Sequence, residues 1–172
     1  YQNNKKSTIN NLEELLIQSV NEQMISDVPI GAFLSGGIDS SLITAIMQSL
    51  SDKPINTFSI GFVNKDYDES LYSNRIAKYL RTNHHEKIIG PKDCLDIIPK
   101  LSQIYDEPFG DSSSMPTYLL SKLAKESVTV SLSGDGADEL FGGYERYYRG
   151  MAYWRILSAI PIQIRKYIRY LL

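Results

Sequence analysis

The stretch Ile30-Gly31-Ala32-Phe33-Leu34-Ser35-Gly36-Gly37-Ile38-Asp39-Ser40-Ser41 decides the fold. A short apolar run, Ile30 to Leu34, breaks at Ser35-Gly36-Gly37, and helical spacing resumes from Asp39 to Leu50. That is strand, glycine turn, helix. Glycines let the turn bring its N–H groups close to an anion, the helix N-terminus adds positive potential, and the serines add donors. The pattern predicts a phosphate cradle. It is not a Walker loop, because no Gly-Lys-Ser/Thr follows. Asp39 would repel a bare phosphate, which suits it to hold a Mg²⁺ bridging phosphate oxygens. The plainer alternative is a glycine turn with Asp39 or a serine as helix cap.

Outward from this motif the same alternation repeats. Upstream, Leu12, Leu15, Leu16, Val20 and Met24 predict an amphipathic helix over Ser7 to Asp27, closed by Pro29. Downstream come a strand over Ile55 to Val63, a helix over Asp68 to Leu80 and a strand over His84 to Ile89. Pro91 opens a helical segment that continues from Cys94 to Tyr105. A helix over Met115 to Glu126 and a strand over Ser127 to Leu132 complete the series. Alternating strands and helices predict βαβ units with right-handed crossovers. The expected fold is α/β, a doubly wound, mainly parallel sheet in a three-layer sandwich. From Tyr144 the pattern becomes an aromatic, Arg-rich helical tail with Pro161 between two segments.

The last strand runs into a second glycine-rich motif, Ser133-Gly134-Asp135-Gly136-Ala137-Asp138-Glu139-Leu140-Phe141-Gly142-Gly143-Tyr144, expected at the same sheet edge as the first. Its clustered carboxylates repel one another unless solvated or sharing cations, so Asp135 and Asp138 are candidates for metal or substrate contact. For Glu139 an acidic first helical turn is an equal alternative.

The 172 residues suffice for about one domain, and 42% apolar with 22% charged residues is ordinary globular composition. A net charge of -2 speaks against general binding to nucleic acid or a membrane surface. The single cysteine, Cys94, excludes a disulfide framework and any multi-cysteine metal site, and it reads as a helix-face residue in a reducing compartment. With no apolar run near membrane-span length and no signal-like start, the expected location is cytoplasmic. Starting at Tyr1 rather than methionine, the chain reads as an excised domain.

His84 and His85 are adjacent on a strand, so they face opposite sides and cannot chelate one ion together. One packed and one hydrogen-bonded histidine is expected. The loop Asp106-Glu107-Pro108-Phe109-Gly110-Asp111-Ser112-Ser113-Ser114 could line an acceptor pocket or be an ordinary loop with a helix cap. Tyr144, Tyr147, Tyr148, Tyr153 and Trp154 with Arg146, Arg149 and Arg155 read as a helical face covered by other parts of a longer protein.

Asp27 through Ser41 resembles the pyrophosphate loop of asparagine synthetases. Phe58-Ser59-Ile60-Gly61-Phe62, Tyr67-Asp68-Glu69-Ser70, His84-His85-Glu86, Asp106-Glu107-Pro108-Phe109 and the second glycine-rich motif follow in that family's order. GMP synthetases, NAD synthetases and tRNA thiolases share the first loop alone. The second motif narrows the resemblance to asparagine synthetases and β-lactam synthetases, and it covers Asn10 to about Arg149. It implies an adenine-nucleotide α-hydrolase-like fold, with 1–150 a truncated ATP-pyrophosphatase domain and 151–172 the start of a C-terminal helical region.

The same resemblance implies the site. Ser35, Gly36, Gly37, Asp39 and Ser40 would hold pyrophosphate, with Asp39 on Mg²⁺. Leu34 and Ile60 would meet adenine through backbone groups, and Ser133 and Gly134 the adenosine side. Asp138 would bind a second Mg²⁺. Asp135 would act in forming or consuming the acyl-adenylate, although many relatives carry Glu there. The implied reaction takes Mg·ATP and aspartate to β-aspartyl-AMP and pyrophosphate, after which ammonia from a glutaminase domain gives asparagine. That N-terminal domain and the region supplying a catalytic lysine lie outside this sequence, so the chain alone is expected to be inactive. A homodimer of the full-length enzyme is compatible with the resemblance. Another carboxylate acceptor (a polysaccharide precursor, or an intramolecular one as in β-lactam synthetase) and a non-catalytic nucleotide-binding module are the alternatives.

Overall fold

A computed structural model of the chain describes residues 4–107, 110–162 and 164–165. The chain forms two compact units, Tyr1–Gly134 and Asp135–Leu172.

The first unit is built on a four-stranded parallel sheet in the order β3-β2-β1-β4, from β1 (Ile30–Phe33), β2 (Asn56–Phe62), β3 (Asn83–Ile89) and β4 (Val130–Leu132). Its helices are α1 (Lys5–Gln23), α2 (Ile38–Ser49), α3 (Ser70–Leu80), α4 (Pro91–Leu95), α5 (Leu101–Ile104) and α6 (Ser114–Ala124). The chain leaves β1 for β2 and β3 on one side, then returns across the sheet to place β4 on the other side of β1. The strand order therefore reverses between β1 and β4, and ligands of open parallel sheets bind at the carboxyl end of such a switch point.

Helices cover both faces. Ala32 and Leu132 pack with Ile46 and Met47 of α2 and Val20 of α1 on one side. On the other, Phe58 packs with Ala124, Val128 and partly buried Leu120 and Leu123, while Ile89 meets Ile97 and Leu119. Phe58 and Met47 are fully buried, and burying a side chain of that size contributes roughly 1.5–3 kcal/mol.

Two expectations change. The predicted helix from Cys94 to Tyr105 is broken into α4, a 3₁₀ turn over Ile98–Lys100 and α5. Pro99 lies within that turn, where its ring and missing N–H interrupt a continuous α-helical ladder. The amphipathic face of α1 is only partly used. Val20 is buried, with Leu16 and Met24 packed beside it, whereas Leu12 and Leu15 are exposed.

The second unit contains α7 (Ala137–Phe141) and α8 (Glu145–Ala159). The tail segment expected after Pro161 falls largely outside the described residues. Among the described residues no helix is long and apolar enough to cross a membrane.

Candidate nucleotide site

The first loop is held by its own hydroxyls. Ser35 N–H donates to Ser40 Oγ at 3.2 Å, the two serine hydroxyls lie 2.9 Å apart, and Gly37 N–H donates to Ser35 Oγ at 3.2 Å. Ser40 Oγ and Ser41 Oγ both donate to the Gly37 carbonyl, at 3.3 and 2.5 Å. Ser40 is buried and Ser35 exposed. The Ser40 hydroxyl is thus engaged inside the loop.

Gly37, in extended conformation, is the N-cap of α2 and supplies no side-chain cap. The opening N–H groups of a helix have no intrahelical partner, so the start of α2 presents donors and the positive end of the helix dipole. Neither Asp39 nor a serine takes the N-cap position, which sets aside the cap alternative. Half-buried Asp39 lies in the first turn of α2 instead. Gly36 has φ +90°, and a β-carbon there would stand 2.7 Å from Tyr72 Cβ and 2.8 Å from Ser73 N. The loop thus leans on the first turns of α3, and glycine is required both by the backbone angle and by the space.

Gly134, after β4, reaches the same place. A β-carbon on it would lie 2.7 Å from Ser40 N and 3.0 Å from Asp39 Cβ. Gly134, distant in sequence from the first loop, therefore meets the N-terminus of α2, with Ser133 just before the contact. The edge of β2 supplies the third part. Leu34 N–H donates to the Phe58 carbonyl at 2.9 Å, the final bond between these chains. Ile55 gives its carbonyl to Asn83 N–H on the β3 side, so by alternation Phe58, Ile60 and Phe62 turn their backbone groups toward the β1 side. β1 ends at Phe33, opposite Phe58, and Ile60 lies beyond it. Its backbone N–H and C=O thus face an open edge past Leu34. Phe62 N–H closes that edge by donating to Asp68 Oδ1 at 3.1 Å. Asp68 also accepts from Ser70 N–H and Ser70 Oγ, and these bonds, that from Phe62 foremost, hold its carboxyl below the usual range.

The asparagine synthase family matches residues 11–172. The chain belongs to that family. It is 48% identical over 147 residues to an asparagine synthetase (glutamine-hydrolyzing) 2 of Methanocaldococcus jannaschii, covering 85% of this chain and 28% of that protein. It is 36% identical over 165 residues to asparagine synthetase (glutamine-hydrolyzing) 1 of Bacillus subtilis, covering 96% and 26%. The chain thus spans about a quarter of the length of these relatives. An NH3-dependent NAD synthetase from Campylobacter jejuni has the same fold, with a TM-score of 0.52 at 18% identity over 78% of this chain and 60% of that one.

In this asparagine synthase domain the acidic motif forms its own arrangement within the second unit. Gly136, at φ +89°, caps α7 and Gly142, at φ +69°, ends it. Half-buried Asp138 lies under Gly143, where a β-carbon would collide with its carboxylate. Glu139 is occupied: Tyr144 Oη donates to its Oε1 at 2.6 Å, which lowers the carboxyl pKa and raises that of the phenol. The Arg146 guanidinium stacks 4.2 Å over the Tyr144 ring. Glu139 therefore bonds the residue that caps α8, and it lies in the first turn of α7, where the acidic helix-start alternative put it.

Among the described residues no group of three or more His, Cys, Asp or Glu could by itself hold a metal ion. A Mg²⁺ that arrives on a nucleotide keeps waters and phosphate oxygens and needs one or two carboxylates, and Asp39, in the first turn of α2, is a donor that would fit one.

His84 and His85 divide as strand alternation predicts. His84 bonds Thr57 Oγ1 at 2.9 Å and Ser59 Oγ at 3.1 Å, while His85 stacks on Phe58 with centroids 5.1 Å apart. The Asp106–Phe109 motif is described only in part, since Pro108 and Phe109 lie outside the described residues. Asp111 accepts from Ser113 N–H at 2.8 Å, a turn that precedes α6 and holds its carboxyl below the usual range. Sequence reading did not single out Tyr72 and Ser73 as support for the loop. Gly36 signalled a tight turn without naming its neighbour.

Proposed function

We propose that this chain carries the nucleotide-activating part of an asparagine synthetase. ATP binds with its phosphates at the Ser35–Ser41 loop and the start of α2, and its adenine edge meets the backbone of Leu34 and Ile60. Ser133 and Gly134 lie on the adenosine side. The observation that carries this reading is the approach of Gly134 to Asp39 and Ser40 at the sheet's switch point, in a chain of this family.

The aspartate side-chain carboxylate attacks the α-phosphorus, the bond to the β-phosphate oxygen breaks, and pyrophosphate leaves. Ammonia, supplied from glutamine elsewhere in the whole protein, then attacks the acyl carbon, loses a proton and displaces AMP. The α2 N-terminus and the loop amides orient the departing pyrophosphate, so positioning does most of the work and no protein nucleophile is needed. Asp39, and at a second position Asp138, would hold Mg²⁺, which would supply neutralisation of phosphate charge. Asp135 acts in making or consuming the acyl-adenylate, where its carboxylate is one methylene shorter than glutamate. On this reading residues 1–172 alone make no asparagine, since the resemblance puts the family's catalytic lysine elsewhere in the whole protein.

The test is product analysis with the full-length protein, aspartate, ammonia and Mg·ATP. AMP and pyrophosphate formed in step with asparagine support the reading. ADP as the main product removes it. AMP release driven by another carboxylate and not by aspartate keeps the chemistry and changes the acceptor.

A further inference from the structure

Beneath the loop lies a polar chain that this reaction does not use. The β2 face toward α3 is unusual for a sheet interior, because Thr57 is fully buried and Ser59 and Ser73 nearly so. His84 joins these groups: Nδ1 meets Thr57 Oγ1 and Nε2 meets Ser59 Oγ. Thr57 Oγ1 also lies 2.8 Å from Thr82 Oγ1. Ser73 Oγ lies 3.4 Å from Ser59 Oγ and 3.0 Å from the Ser70 carbonyl, which share its one proton as acceptors. Ser73 is the residue whose backbone nitrogen backs Gly36.

From this geometry we infer that His84 is a positioning residue for the phosphate loop, acting through Ser59 and Ser73 to seat α3 against Gly36. Three features support it. Both ring nitrogens are committed to hydroxyls of β2, so the plane of the ring is held by its partners. Buried polar groups are costly unless satisfied, so removing the imidazole leaves Thr57 and Ser59 short of a partner at the α3 contact. Gly36 lies so close to Tyr72 and Ser73 that not even a β-carbon fits between them, so a shift of α3 toward the loop displaces Gly36. The effect on catalysis rests on the nucleotide reading above, whereas the mechanical link from β3 to the loop does not.

The experiment compares the full-length wild-type protein with His84→Ala and His84→Gln by two readouts. Amide exchange is followed across the loop at 35–41 and, as an internal reference, β1 at 30–33. For His84→Ala the loop should exchange about tenfold faster while β1 is unchanged, which is local loosening rather than global opening. The KM for Mg·ATP should rise about tenfold with kcat within about twofold, and His84→Gln, which keeps a donor and an acceptor, should recover most of both. Faster exchange in β1 and loop alike, or a loop that does not respond in either variant, overturns the positioning role. A loop that loosens in a protein whose wild type shows no Mg·ATP turnover supports the link and removes the nucleotide reading instead.

Discussion

Gly134 lies against the backbone of Ser40 so closely that a β-carbon on it would stand 2.7 Å from the Ser40 nitrogen. One residue follows β4 and the other begins the helix after β1, so their meeting is a consequence of β4 pairing with β1 through Ile30↔Val130, Gly31↔Ser131 and Ala32↔Leu132. The sheet register brings Gly134 to the start of α2.

Gly134→Ala is therefore expected to displace the start of α2 or the turn after β4, since the two nearest atoms it meets, Ser40 N and the Asp39 carbonyl carbon, are backbone. Overpacking of this kind costs about 1–3 kcal/mol. The expected result in the full-length protein is a lower unfolding midpoint together with weaker Mg·ATP binding, measured by thermal denaturation and by titration. Normal stability with normal affinity would show that the contact is slack.

Asp39→Asn keeps the shape of the first turn of α2 and removes the charge. If Asp39 holds a nucleotide-borne cation, turnover should fall by about a hundredfold, the scale of losing one electrostatic group at a reacting centre. The dependence on Mg²⁺ concentration should shift upward. Steady-state rates across a Mg²⁺ series check both, and unchanged kinetics would take Asp39 out of the site.

Glu139 and Asp138 should separate sharply despite being neighbours. Glu139 is engaged by the Tyr144 hydroxyl at 2.6 Å, so Glu139→Gln is expected to leave the Mg²⁺ dependence unchanged while lowering the unfolding midpoint. Asp138→Asn is expected to do the reverse. Equal effects of both substitutions on metal dependence would place Glu139 at the metal as well.

Stability should fall on acidification in two windows. Burial lowers the His84 pKa, with His85 contributing and Glu86 opposing, and the groups that meet it from β2 are the Thr57 and Ser59 hydroxyls. The unfolded histidine takes up its proton first, from about pH 6.5 downward, so stability is full above that pH and declines toward the lower folded value. Asp68 is also lowered, by hydrogen bonds from Phe62 and Ser70. Its contribution is present above about pH 3.9, the unfolded value, and is lost as pH falls through the folded one. Denaturant midpoints measured from pH 8 to 3 should show both declines. His84→Gln should flatten the first and Asp68→Asn the second.

Much of this protein is set by local spacing. The apolar run before Ser35, the glycines after it and the helical periodicity beyond Asp39 specify a strand-turn-helix unit without any distant contact, and strand parity alone sends His84 and His85 to opposite faces. The order of the residues in the two glycine-rich motifs was enough to indicate the family. Spacing did not say where α1 would find partners, so Leu12 and Leu15 remain exposed although they share a stripe with Val20. It also overran Pro99, whose effect on the ladder outweighed the periodicity around it. Only the tertiary structure decided that β4 returns beside β1, that Gly134 touches Ser40, that Ile60 overhangs the end of β1, and that Ser73 stands behind Gly36. Those relations depend on which strands pair and in what register, and pairing is a choice among distant segments that no local pattern encodes.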